Sequence, residues 1–370
     1  MYFYATATLG LEDIVAKEIE ELTGARCDID VNKVLFRGDL DLIPKLNYLS
    51  RCANRIFILL LKEGFHDLKD IYSKTRCINF SYYIEPDQSF AVRAIRHGIH
   101  DFTSIDVARV VGQAVIDSYL EEKGFRLKVN LEIPDIEIQA LVRDDEIILG
   151  INTSGDALSK RGYRVYQHPA PIKPTLACCL LRLSGWKPEN SLLDPMCGGG
   201  TILIEAALMT RNIPPSSFRQ GFAFEKFRFM DPSLFDEVKD AVKSKINRDK
   251  YEIFGIEKYR KHVEGAIKNA KSAGVVDTIR IDQGDATKWN YKPKPDFIVT
   301  NPPYGLRIAN KRATLSLYRG FSERVKRLKD TTLVLIVGNN WFEEIFQLKP
   351  IEKREILYGS LRCYVLKYLI

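Results

Sequence analysis

The chain of 370 residues has no apolar run long enough to cross a bilayer. Its longest stretch worth testing, Ile56–Leu61 in RIFILLLK, is far short of the roughly 20 residues a spanning helix needs. The start, MYFYATATLGLEDIVAKE, lacks basic residues leading into an apolar run, so it reads as a strand turning into a helix rather than a signal peptide. The seven cysteines (27, 52, 77, 178, 179, 197 and 363) include no Cys-x-x-Cys pair. Such an odd, scattered set argues against a disulfide framework and for free thiols in a reducing compartment; the cytoplasm is expected. His97 and His100 are three apart with no third ligand nearby, so no metal site is expected. Neither sign of charge dominates. Lys and Arg number 55 against 48 Asp and Glu, a net +7, which permits a polyanionic partner but excludes a histone-like cationic coat. The dinucleotide signature G-x-G-x-x-G is missing, with Leu203 where its third glycine would fall, which disfavours nicotinamide chemistry.

What is present is an ordinary globular balance, 45% hydrophobic and 28% charged, in a length that suits two or three domains. Residues 1–60 read strand–helix–strand–helix–strand, a small ferredoxin-like α+β unit. Residues 61–153 form a second α+β block. In it LKDIYSKTRCI and Ser104–Glu122 are helical, the latter capped by Thr103 or Ser104. SFAVRAIR, LKVNLEI, EIQALVR and EIILGIN are its strands. Residues 154–172, ending in HPAPI with its two prolines, read as a linker. From 173 to 370 seven apolar strands follow, the first five separated by helices and the last two close enough for a hairpin. That pattern predicts a doubly wound sheet with one antiparallel edge strand and a ligand crevice at the carboxyl ends of its strands.

Two segments carry chemistry. After the first strand of the C-terminal block, Asp194-Pro195-Met196-Cys197-Gly198-Gly199-Gly200-Thr201 leads into the helix ILIEAALM. Glycines there let a ligand approach the backbone, and the helix start favours an anionic group. A small ligand carrying a carboxylate fits, and S-adenosylmethionine is one. Glu257 ends the second strand, where it can accept from ribose hydroxyls, and Asp285 closes the third, where it can accept from an adenine amino group. Cys197 borders the loop and is counted with it. No His or carboxylate partner is evident for a catalytic thiolate.

After the fourth strand comes Asn301-Pro302-Pro303-Tyr304-Gly305. Prolines leave adjacent carbonyls without a competing N–H, and Asn301 adds an amide oxygen. An exocyclic amine on a nucleobase is a poor nucleophile, and two acceptors on its hydrogens hold it while an aromatic face stacks the base. Methyl transfer then needs in-line approach rather than a base of unusual pKa.

DPMCGGGTILIEAA together with NPPYG resembles the THUMP-containing class I RNA methyltransferases, and the likeness covers most of the chain. SFAVRAIRHGIHDFTSIDVARVVGQAVIDSYL, LSKRGYRV and HPAPIKPTLA look like that family's RNA-binding module and junction. The tRNA (guanine-6-N2)-methyltransferase branch is the most similar, and FAFEKFRF is similar to the rRNA guanine-N2 enzymes. The resemblance implies an α/β chain: a Rossmann-like seven-stranded methyltransferase domain behind ferredoxin-like and THUMP domains. It implies S-adenosylmethionine as cofactor, with Asp194, Pro195, Gly198, Gly200 and Thr201 at its methionine end, Glu257 on ribose, and Asp285 and Ala286 on adenine. Asn301, Pro302, Pro303 and Tyr304 would hold the target base. Gly199 departs from the serine many members carry. Arg93, Arg96, Lys160, Arg161 and Arg164 are expected to meet RNA phosphates. The expected product is N2-methylguanosine at position 6 of a tRNA acceptor stem, made by a monomer. An rRNA guanine-N2 methyltransferase, an adenine-N6 methyltransferase and a catalytically silent RNA-binding protein remain as alternatives.

Overall fold

The structure, a computed structural model, describes residues 1–289, 294–304 and 311–370; Gly305 of the Asn-Pro-Pro-Tyr-Gly motif lies outside the described residues. The chain opens with β1 (Tyr2–Thr6), α1 (Glu12–Thr23), β2 (Cys27–Asp30), β3 (Lys33–Arg37), α2 (Leu42–Leu49) and β4 (Arg55–Gly64). β2 is the one strand here that the sequence pattern does not announce. It is short and polar, and exists because Asn32, at φ 63°, turns it back onto β3. Next come α3 (Leu68–Arg76), β5 (Ser89–His97), α4 (Ser104–Lys123), β6 (Lys128–Val129), β7 (Ile136–Arg143) and β8 (Glu146–Asn152). Thr103 caps α4 through a capping box with Asp106. β6 is shorter than the pattern LKVNLEI predicts, because the Asn130 side chain accepts from the N–H groups of Glu132 and Ile133 and bends the chain away.

The two N-terminal blocks share one eight-stranded sheet, ordered β2-β3-β1-β4-β8-β7-β5-β6. β4 pairs with β1 on one side and with β8 on the other, so the boundary expected at residue 60 falls inside a strand common to both. Ile56, Phe57 and Ile58 are all buried, as a central strand covered on both faces requires. Tyr4 and Phe57 stack across β1 and β4 with ring centroids 4.6 Å apart.

The C-terminal block runs α5 (Pro174–Ser184), β9 (Leu192–Asp194), α6 (Thr201–Thr210), α7 (Ser233–Lys243), β10 (Ile253–Glu257), α8 (Arg260–Ser272), β11 (Ile279–Gln283), β12 (Phe297–Thr300), α9 (Lys311–Val325), β13 (Thr332–Val337), α10 (Trp341–Phe346), β14 (Glu352–Tyr358) and β15 (Leu361–Leu369). The seven strands are ordered β11-β10-β9-β12-β13-β15-β14. Two details differ from expectation. Among the described residues no helix joins β11 to β12. The antiparallel strand is β15, which lies between β13 and β14 rather than at the edge. The chain winds outward from β9 in both directions, so the crevice between β9 and β12 is the switch point where a ligand site belongs. No helix among the described residues is long and apolar enough to cross a membrane.

Residues 154–172 carry no regular secondary structure, yet the segment is packed: Ser154, Leu158, Arg161, Tyr163 and Ile172 are buried. Arg161, expected to face RNA phosphates, is instead 1% exposed. Its Nε lies 3.2 Å from the Glu205 carboxylate on α6, and it donates to the carbonyls of Leu158 and Arg51 at 2.9 and 2.7 Å. The same carboxylate accepts from the Tyr163 hydroxyl at 2.8 Å and the Cys178 thiol at 3.1 Å. Arg51, in the turn between α2 and β4, returns the contact by donating to the carbonyls of Leu208 and Ile213. A cation so enclosed cannot reach a phosphate; it ties the N-terminal sheet to the helix that follows the glycine loop.

Removing one partner strands the other charge in the interior, which typically costs about 3–5 kcal/mol, whereas removing both for apolar groups is far cheaper. Glu205→Ala is therefore expected to lower unfolding stability in urea by that amount, and Arg161→Met with Glu205→Leu to lose much less. A double variant no more stable than the single one would contradict the buried pair.

Candidate active site

The carboxyl ends of β9, β10 and β12 converge. Asp194 closes β9 and is 2% exposed; its Oδ1 accepts from the Thr300 hydroxyl at 2.7 Å and the Met196 N–H at 3.2 Å. Thr300 ends β12, so one short bond fixes the glycine loop beside the Asn-Pro-Pro-Tyr turn. Burial, then the nearby Glu257 charge, drive the Asp194 carboxyl up to about 7, against hydrogen bonds that hold it down. No cation pairs with it among the described residues.

Gly198 and Gly200 adopt left-handed backbone, at φ 53° and 78°, which bulkier residues resist. The Gly200 N–H closes the loop on the Cys197 carbonyl at 2.8 Å, and α6 starts there, with Thr201 as its first residue. Pro195 and Cys197 are buried beneath the loop. The Cys197 thiol is pushed well up by burial, then by the charges of Asp194 and Glu257, which removes thiolate chemistry. Glu257, at the end of β10, accepts from the Gly198 N–H and the Tyr259 N–H, each at 3.0 Å, and so faces the loop. Asp285, just past β11, accepts from the Thr287 N–H and hydroxyl and pairs with Lys258 at 3.2 Å. Those bonds, the backbone one first, hold its carboxyl below the ordinary range against partial burial. Ala286 beside it is buried.

At the end of β12, the Asn301 Oδ1 accepts from the Tyr304 hydroxyl at 2.6 Å. Pro302 is buried and Pro303 exposed. The Pro303 carbonyl, expected to be free, accepts from the Tyr318 hydroxyl at 2.9 Å, and the Tyr304 carbonyl accepts from Asn339 at 3.0 Å. The Tyr304 side chain packs against Gly338, where an added Cβ would come 3.0 Å from the Tyr304 Cβ and 3.1 Å from its ring. Burial drives its hydroxyl's pKa strongly upward, so it remains a donor. The turn is thus held by three side chains, Tyr304, Tyr318 and Asn339, of which the last two carried no signal in the sequence.

His168 was also missed. Its ring lies against the loop: a Cβ on Gly198 would sit 3.2 Å from it, and one on Gly199 3.3 Å from the His168 Cβ. Asn269, buried on α8, fixes that arrangement by bonding the Tyr166 N–H, the Tyr166 carbonyl and the Gly199 carbonyl at 2.8, 3.2 and 3.0 Å. The junction segment therefore forms a wall of the crevice. A serine at position 199 would bring its Cβ into that wall. No local pattern marks His168 or Asn269, because each acts across 30 or more positions of sequence.

The remaining basic residues divide. Arg93 is exposed on β5, bonded to the Leu131 carbonyl and 3.6 Å from Glu137. Arg96 donates to the Gly98 carbonyl and meets His100 at 2.9 Å. Lys160 is exposed and pairs with Asp156. Arg164 turns inward, bonding the Ile172 carbonyl and, at 3.0 Å, the Thr201 hydroxyl, so it braces the start of α6 rather than facing open solvent. Among the described residues no group of side chains could hold a metal ion.

The Asp194 shift sets a stability trend. Its unfolded value is near 3.8 and its folded value about 7, so between them the native state holds the extra proton. Stability falls as pH rises through that window and levels off above it. Asp194→Asn is expected to flatten urea-unfolding free energy between pH 5 and 8 and to stabilise the free protein at pH 8. An unchanged slope would refute the assignment.

Three family models match in succession: the RlmL ferredoxin-like domain over residues 2–57, the THUMP domain over 65–152, and the RMKL-like methyltransferase domain over 161–367. The tRNA (guanine(6)-N2)-methyltransferase of Methanocaldococcus jannaschii is 44% identical, the match covering 98% of each chain. That of Archaeoglobus fulgidus is 42% identical over 100% of this chain and 92% of its own. The ribosomal RNA large subunit methyltransferase K/L of Methylococcus capsulatus is 32% identical, and this chain spans half its length. In structure, SMU.472, solved in complex with SAH, superposes with a TM-score of 0.90 at 28% identity, covering 100% of this chain and 97% of that one. A cradle of backbone without Cβ atoms, a buried carboxylate lacking a cation and acids at consecutive strand ends are what S-adenosylmethionine requires, and it is the cofactor. By its three matched domains and its full-length relatives, the chain belongs to the THUMP-containing class I RNA methyltransferases.

Proposed function

We propose that this enzyme methylates the 2-amino group of a guanosine in tRNA, at position 6 of the acceptor stem. The observation that carries the reading is the 2.7 Å bond between Asp194 and Thr300, which sets the Asn301 amide beside the glycine loop. The two relatives above 40% identity bear the matching name over nearly their whole length. In this reading residues 1–60 and 61–153 grip the RNA, 154–172 join, and 173–370 transfer the methyl group.

When bound, S-adenosylmethionine supplies an electrophilic methyl carbon on its sulfonium. The cofactor's ammonium would supply the cation that the Asp194 carboxylate lacks. Pro195, Cys197, Gly198, Gly200 and Thr201 shape the backbone around its methionine end, Glu257 accepts from ribose, and Asp285 with Ala286 lines the adenine. An amide oxygen has two lone pairs. Tyr304 occupies one on Asn301, which orients the other toward the guanine amine; the Pro303 carbonyl, with one lone pair taken by Tyr318, offers its other as a second acceptor. Pro302 keeps the turn rigid. In the reaction the methyl carbon would pass to the amine nitrogen, S-adenosylhomocysteine would leave with the carbon–sulfur electron pair, and the amine's proton would go to solvent water.

A paired guanosine must leave its stack to reach Asn301, at a cost of a few kcal/mol. Shape and backbone contacts by the N-terminal sheet supply the compensating affinity, since the deep major groove of A-form RNA hides its bases. In this reading Arg93 and Arg96 on β5, and Lys160 in the junction segment, meet RNA phosphates.

Labelled methyl transfer to total RNA, followed by nucleoside analysis and mapping, is expected to yield N2-methylguanosine at position 6 of tRNA; methyladenosine, or label confined to rRNA, would overturn the reading. Tyr304→Phe removes the bond that orients Asn301. Single-turnover methyl transfer should slow by roughly ten-fold, the worth of one hydrogen bond, with cofactor affinity unchanged. A wild-type rate would contradict the role of Tyr304.

A further inference from the structure

The helix after the target-base turn carries an unexplained set of cations. From Lys311 to Arg319, α9 reads KRATLSLYR, with three basic residues and no acid. Lys311, Arg312, Leu315, Ser316 and Arg319 fall on one helical face and line one surface cleft. Some exposed cations find carboxylates, as Lys160 finds Asp156, Arg260 finds Glu264 and Lys353 finds Glu343. Among the described residues Lys311, Arg312 and Arg319 form no ion pair. The start of α9 also runs against the helix dipole: α3 has Asp70 in its first turn, whereas α9 begins with Lys311 and Arg312 and has no acid in its first turn. Cations at a helix start are disfavoured unless an anion joins them.

The face is tethered to the site. Tyr318, between Leu315 and Arg319 in the sequence, donates to the Pro303 carbonyl. Asn339 donates to the Tyr304 carbonyl and accepts from the Trp341 N–H, and the Lys311 ammonium lies 5.0 Å from the centre of the Trp341 ring. A half-buried indole beside the Lys311 ammonium, on a helix bonded to the Asn-Pro-Pro-Tyr turn, matches how proteins hold single-stranded nucleic acid.

We propose that this face of α9, with Trp341 at its edge, binds phosphates of the RNA strand flanking the target nucleotide. The proposal rests on the RNA-methylation reading and adds a second anchorage, on the catalytic domain itself. The N-terminal sheet holds the body of the RNA, and α9 holds the strand on which the base turns out.

The test combines Lys311→Glu, Arg312→Glu and Arg319→Glu in the full chain. All three side chains are exposed, so melting temperature and cofactor affinity should match wild type. The dissociation constant for unmodified tRNA transcript is expected to rise ten-fold or more. The slope of log affinity against log salt should shrink by about 2, given roughly 0.7–0.9 per phosphate contact. Affinity and salt slope equal to wild type would overturn the role of α9 while leaving the methylation reading intact. A wild-type protein that neither binds nor methylates tRNA would overturn both.

Discussion

The buried pair between Arg161 and Glu205 is the constraint on which the arrangement of the molecule depends. Glu205 stands one turn into α6, whose first residue closes the glycine loop, and Arg161 reaches from there to the backbone of Arg51 in the turn between α2 and β4. A charge with no access to water tolerates little displacement, because each ångström of separation exposes an uncompensated ion to a low-dielectric interior. The contact therefore behaves as a rivet of fixed length between the N-terminal sheet and the glycine loop. Arg51 and Arg219 add bonds across the same junction, Arg219 donating to the carbonyls of Ser154, Asp156, Ala157 and Lys160.

On the catalytic side the same economy of contacts recurs. Asp194 meets Thr300, Glu257 meets Gly198, and Asn269 joins the loop to the junction segment. Each bond links strand ends or loops that are remote in sequence and adjacent in space. Preorganisation of this kind lets polar groups face a reacting centre without rearranging during the reaction.

Much of this was legible in the sequence where the signal is local. The glycine loop, Glu257 and Asp285 at consecutive strand ends, and Asn-Pro-Pro-Tyr each occupy a few adjacent residues whose chemistry can be read without a partner. The seven strands of the C-terminal sheet were legible because each is a short apolar run between breakers. What was not legible depends on distant pairing. Arg161 looks like any exposed arginine until Glu205, 44 residues on, is placed against it. β2 has no apolar alternation and owes its existence to β3. β15 slips between β13 and β14 because a hairpin can return on either side, a choice that strand composition does not encode. His168 and Asn269 enter the site only because the junction folds back over the glycine loop.

The strand shared by the two N-terminal units bears on how such a protein can be inherited. β4 gives one edge to β1 and the other to β8, so a cut between the two units would leave each with a row of unpaired backbone groups, the condition that drives chains to aggregate or to swap strands. Recombination that preserves folding has to move both units together or neither. Seen this way, the ferredoxin-like and THUMP segments are a single heritable part, although they are matched as two separate families.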